Sequence, residues 1–197
     1  MPSDPLLAIH FANSRYAVRG RPQEGIGTPD DLFAWLREHL TALGSPSGTC
    51  GPFGSLSGTN GPYVPSTGDA AAAVVLRDAI RAVFGACVEG QQVPAPALGV
   101  INSAAAAAPV WPVLGPSLEI EERTDSEPLF AALGAIARAA MELLSGPLRA
   151  DLRACRAPGC VKFFHKDHPR REWCCEHCGN RARVARHYRR KVSPGSS

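Results

Sequence analysis

The stretch REWCCEHCGNRARVARHYRRK, residues 171–191, sets three cysteines and two histidines beside a run of arginines. Thiolates at short spacing hold metals, and arginines repeated along a helix grip polyanions, so the segment has the chemistry for either role or both. Upstream, Cys155 and Cys160 enclose four residues in CRAPGC, and after thirteen more residues Cys174 and Cys178 enclose three. Two close pairs joined by a loop supply four thiolates, the ligand set that a closed tetrahedral structural zinc prefers. Pro158 and Gly159 favour a tight turn that aims the first pair inward. Cys174 and Cys178 are spaced to project from one side of a helix start, where free backbone N–H groups favour thiolate. Cys175 with Cys178 is an alternative pair, and His165, His168 and His177 are alternative ligands that four cysteines make unnecessary. Cys50 and Cys87 stand alone and receive no role.

A helix starting near Glu176 turns about 100° per residue. Arg183, Arg186 and Arg190 then form one stripe with His187 and Lys191 at its margin, while Cys178, Ala182, Val184, Ala185, Tyr188 and Arg181 fall on the other side. A zinc with four thiolates carries net −2, so Arg181 is expected to brace it, with Asn180 and Trp173 as structural neighbours. The arginine stripe has no acidic partner within its helix, and its natural partner is phosphate. Arg170 and Arg171 extend that contact. Phe163, Phe164, Trp173, Val184 and Tyr188 are the expected core of a module this small, so metal must supply much of its folding free energy, on the order of 10 kcal/mol.

Charge divides the same way. Residues 151–191 hold 12 Lys and Arg against 4 Asp and Glu, net +8, and the rest of the 197-residue chain holds 9 against 14, net −5. A basic tail on an acidic body points to an anionic partner for the tail. The two longest apolar runs, residues 70–76 and 104–114, fall short of the roughly 18 residues of a membrane span, and the start lacks the pattern of a secretory signal. A cytoplasmic protein with no membrane partner is the expectation, and there clustered thiols ligate metal rather than pair.

The elements that must carry the tail are mostly helical. PLLAIHFANSRYAVRG suggests a short helix. Thr28 caps TPDDLFAWLREHLTALG, in which Leu32, Trp35, Leu36 and Leu40 recur at helical spacing before Gly44. Residues 45–68 are a Gly, Ser, Pro and Thr tract expected to loop freely. GDAAAAVVLRDAIRAVFGACVEG predicts a helix with Val74, Val75, Ala79, Ile80 and Val83 on its apolar face. Residues 95–108 read as an Ala-rich helix ending before Pro109, and SLEIEER as a short strand. SEPLFAALGAIARAAMELLSG predicts a helix burying Leu129, Leu133, Ile136, Ala140 and Leu143 and stopping at Gly146. No catalytic set stands out, and His10 and Asn13 are read as structural polar residues. The fold class is thus mainly α with a minor β element.

At RREWCCEHCGNRARVARHYRRK the chain resembles the CGNR zinc finger family, whose tetrapeptide is Cys178, Gly179, Asn180 and Arg181 here, and the match runs upstream through CRAPGCVKFFHKDHPRREWC. LLAIHFANSR and DDLFAWLREHL resemble, more weakly, the N-terminal domain that accompanies this finger in bacterial stress-induced transcription regulators. Cys175 stands where serine is usual, and the second pair is one residue closer than in many members. The resemblance implies a helical N-terminal domain over residues 1–148 and a small treble-clef-like zinc finger over residues 151–192. It further implies one structural zinc and binding to DNA at the nucleoid. The expected function is therefore a non-enzymatic, zinc-dependent DNA-binding transcription regulator whose body senses a small-molecule effector or forms a homodimer. An RNA-binding or ribosome-associated zinc protein is the alternative.

Overall fold

A computed structural model describes residues 4–40, 57–58, 61–62 and 65–192, of which 57–58, 61–62 and 190–192 are described in backbone only. The first helix, α1 (Leu6–Ala12), leads into the hairpin β1 (Arg15–Val18) and β2 (Arg21–Glu24). Helix α2 (Pro29–Leu40) begins where the Thr28 hydroxyl accepts from the Asp31 N–H at 3.2 Å, the expected cap. Gly44, Cys50 and most of the tract at 45–68 lie outside the described residues. Its described part pairs β3 (Ser57–Gly58) with β4 (Gly61–Pro62), and the next helix already begins at Thr67.

That helix, α3 (Thr67–Glu89), opens with a capping box. Ser66 N donates to Asp69 at 2.7 Å and Asp69 N to the Ser66 hydroxyl at 3.3 Å, so two otherwise unpaired N–H groups are satisfied. Its end at Gly90, φ 64°, needs the left-handed region that glycine enters freely. The buried face includes Ala79, Ile80 and Val83 as expected, with Val74 packed against the core, and it extends to Ala70, Ala73, Leu76 and Phe84. Only Val75 departs from the expected face, at 56% exposure. Arg77 also lies inward at 1% exposure, its guanidinium paired with Glu24 on β2 and 3.0 Å from Asp78. These carboxylates make burial of a charge tolerable, and they strap the hairpin to α3.

Helix α4 (Ala95–Ala106) is followed by β5 (Trp111–Leu114) and β6 (Ile120–Arg123), which pair antiparallel. Helix α5 (Pro128–Ser145) has the length and apolarity to cross a membrane, unlike the runs singled out from sequence, but it is the central helix of the body. Leu129, Leu133, Ile136, Ala140 and Leu143 are all buried as expected, and the alanines between them let α1, α3 and α4 approach closely. A Cβ on Gly134 would stand 2.6 Å from the Ala108 methyl, so only glycine permits that crossing.

A 3-10 turn (Pro147–Asp151) connects to β7 (Leu152–Ala154), β8 (Phe163–His165) and the last helix, α6 (Glu176–Val192). All the strands among the described residues form two-stranded antiparallel pairs. The β7–β8 pair is not a bead on a linker. Leu152 and Phe163 belong to the main core with Phe84 and Ile80, and the Phe163 ring meets Phe84 edge-on at 5.6 Å. Asn13, at the end of α1, donates to the Phe163 carbonyl at 2.8 Å and accepts its N–H at 2.9 Å, mimicking a strand neighbour. Arg81 on α3 donates to the carbonyls of Ala12 and Val161 at 2.7 and 2.8 Å, with its guanidinium 5.1 Å from the Phe163 ring.

Candidate metal centre and nucleic-acid interface

Strand alternation decides where the metal centre sits. Phe163 faces the body, so Phe164, its neighbour, must face away. Phe164 packs with Cys155, Ala157 and Cys178 in a second, separate core. Cys155 follows β7 directly, and its N–H donates to the Lys162 carbonyl at 2.8 Å, extending the hairpin by one rung. The chain then turns through Pro158 and Gly159, with Gly159 at φ 70°, and the Cys160 N–H closes on the Ala157 carbonyl at 2.9 Å. Both first-pair sulfurs are thereby turned to one side. The second pair comes from the start of α6, which begins at Glu176 as expected: Cys174 precedes the helix and Cys178 lies in its first turn.

The sulfurs of Cys155, Cys160, Cys174 and Cys178 all lie within 4.8 Å of one another. Cys160 and Cys174 are 3.8 Å apart, and Cys174 and Cys178 3.5 Å. A tetrahedral zinc with bonds of about 2.3 Å puts its sulfurs about 3.8 Å apart, so the spacing fits one zinc ion. Cys175 is exposed and sits outside the four, its sulfur 3.9 Å from that of Cys174. The group contains no histidine: His168 Nδ1 accepts from Arg170 N at 3.1 Å in a turn, His177 is exposed, and His165 lies on β8.

The crowded sulfurs also act on one another electrostatically. Burial pushes the Cys178 thiol up to about 12, with the charges of Cys155 and Cys160 adding to it. Burial likewise pushes Cys174 upward, again with help from neighbouring sulfurs. Cys155 is held below its ordinary range, because backbone and sulfur hydrogen bonds outweigh its own burial. One thiolate in this cluster thus opposes the next, and a divalent ion at the centre removes that conflict.

Around the sulfurs, Arg181 Nη2 donates to Cys178 Sγ at 3.3 Å. Arg171 is engaged within the finger while remaining partly exposed. Its guanidinium donates to Asp167 at 2.8 Å and to the Cys174 carbonyl at 3.1 Å, and lies 5.4 Å from the Phe164 ring. Trp173 lies over Gly179, where a Cβ would come within 3.1 Å of its indole, and Asn180 accepts from the Arg183 guanidinium.

Helix α6 then leaves the finger. Cys178, Gly179 and Ala182 are buried, and beyond them Arg183, Arg186, His187 and Arg189 are exposed. Val184 and Tyr188, expected in the core, are 54% and 64% exposed because the helix runs past the last element it packs on. With Arg183 and His187 they line a shallow groove along the helix. Arg170 is exposed near the base of the finger, and Arg190 and Lys191 continue the helix with side chains outside the described residues. Of the polar pair near the start, Asn13 is spent on Phe163. His10 meets His39 edge-on at 5.6 Å, and burial, then His39, lowers its pKa. Sequence reading did not find the tie from Asn13 and Arg81 to the finger, which no local pattern encodes.

Residues 6–147 match a family model described as "Putative stress-induced transcription regulator", and residues 152–191 match the CGNR zinc finger. No curated protein matches the chain.

Proposed function

The chain belongs to the family of stress-induced transcription regulators and carries a CGNR zinc finger behind its regulator domain, and from that premise we propose that it binds duplex DNA through α6. One zinc held by Cys155, Cys160, Cys174 and Cys178 fixes the start of that helix. Residues 151–192 act as the DNA-binding finger. Residues 1–148 act as the sensing or dimerising body, and the site of action is the cytoplasm at the nucleoid.

The observation that carries this reading is the free length of α6, with Arg183, Arg186, His187 and Arg189 exposed beyond the sulfur cluster. Such a rod fits a groove, where arginine binds phosphate with paired hydrogen bonds and reads guanine edges. Arg170 and Lys191 add positive charge to the same contact. Arg171 supports the finger from within instead, its guanidinium being engaged already.

The test is a salt titration of binding to duplex DNA. Replacing Arg183, Arg186 and Arg190 by alanine is expected to flatten the dependence of log affinity on log salt by about 0.9 for each phosphate that is no longer neutralised. Unchanged affinity and slope would remove the proposal. A second reading, RNA binding, is favoured by one observation, the exposed Tyr188 ring, which offers a stacking surface for an unpaired base. Competition between duplex DNA and single-stranded RNA separates the two, and Tyr188→Ala should matter more for RNA.

A further inference from the structure

We propose that the tip of the β1–β2 hairpin is a second phosphate-binding element, which the body lends to the finger so that both grip the same DNA duplex. The inference rests on the DNA-binding reading and adds a grip outside the zinc finger.

The first support is position. Gly20, at the hairpin tip, touches Gly159 in the turn between Cys155 and Cys160: a Cβ on Gly159 would stand 2.9 Å from the Gly20 Cα. The tip is therefore seated on the metal-binding turn. Hairpin and finger are joined again along the side, where the Lys162 ammonium lies 6.0 Å from the Tyr16 ring. At its base, Arg77 holds the hairpin to α3 through Glu24. A seat at both ends makes this a fixed arm.

The second support is composition. All four residues of β2 are exposed, so the strand adds little to the core. What it presents at the junction is charge. Arg19 and Arg21 flank Gly20, Arg156 stands three residues before Gly159, and all three are exposed with no ion pair among the described residues. The body as a whole is acidic, and most of its other arginines are engaged: Arg15 with Asp78, Arg123 with Glu121, Arg81 and Arg138 with backbone carbonyls.

The third support is backbone strain at a charged residue. Arg19 and Gly20 have φ of 51° and 79°, the two-residue turn in which both central positions are left-handed. Asparagine or glycine suits the first of these positions, and a long side chain there is held uphill. Leu118, in the turn of the β5–β6 hairpin, shares this geometry at φ 65°, so what sets Arg19 apart is an exposed charge without an ion pair among the described residues. No aromatic ring is free at the tip for base stacking, since Tyr16 is half-buried under Lys162. The chemistry is that of a phosphate grip and carries no base reading.

The experiment uses the full chain loaded with zinc and a mixed-sequence DNA duplex longer than two helical turns, titrated across salt concentrations. The pair Arg19→Asn with Arg21→Ala removes both charges while suiting the turn. It is expected to lower affinity roughly tenfold at moderate salt and to reduce the salt slope by about 2, whereas Arg19→Lys with Arg21→Lys keeps most of the slope. Zinc stoichiometry reports whether the finger remains intact. If Arg183→Ala with Arg186→Ala weakens binding and the hairpin pair leaves affinity and slope unchanged, the second element is overturned while the DNA-binding reading stands. If the wild-type chain shows no salt-dependent binding to the duplex, both fall.

Discussion

The body and the finger solve the same problem by different means. The body buries helix on helix, with leucines, isoleucines and many alanines around α5. Among the described residues, the finger's own core is a small cluster of Cys155, Ala157, Phe164 and Cys178. A core of that size does not offset the entropy of ordering some forty residues. The difference teaches that the sulfur cluster takes the place of a hydrophobic core, and that the finger also draws on its neighbour's through Leu152 and Phe163.

The sharpest break of this comparison is removal of zinc. Chelation is expected to withdraw on the order of 10 kcal/mol from the finger and none directly from the body. Hydrogen exchange should then show protection lost along α6 and in the 155–160 turn, kept in α3 and α5, and partly kept in β7 and β8. Uniform loss across the whole chain would show that the two regions are one cooperative unit. Next in size is a pair of substitutions on adjacent residues. Phe163→Ala should cost about 3–5 kcal/mol of body stability in urea, while Phe164→Ala should chiefly weaken zinc retention. Equal effects on both readouts would erase the distinction between the cores. Smallest is Asn13→Ala, which leaves the Phe163 N–H and carbonyl without partners for about 1–3 kcal/mol. Its mark should be a loss of exchange protection at Phe163 that exceeds the loss at residues of α1.

Much of this was legible in the sequence where the determinants are local. Helix periodicity located α2, α3 and α5, since an apolar stripe repeats within each segment, and the cysteine spacing placed four sulfurs together because each pair is set by a single turn. The faces of α3 and α6 were less legible. Val75 and Val184 are apolar, but whether a helix side is covered depends on what lies opposite. Nothing among the described residues lies opposite the outer length of α6. Hairpin β1–β2 was not read because its turn is Arg-Gly, without the Asn or Asp that would signal it. The bonds from Asn13 to Phe163 span 150 residues and leave no trace in either segment's pattern.

Strand β8 sends one aromatic ring into each core on consecutive residues, and that fact constrains how the chain can change over time. Side-chain exchanges at this seam are graded in cost, as the alanine variants would show. A one-residue slip of β8 against β7 is not graded, because it would interchange the two rings and misplace both cores at once. The seam should accordingly tolerate changes of residue type far more readily than a change of register.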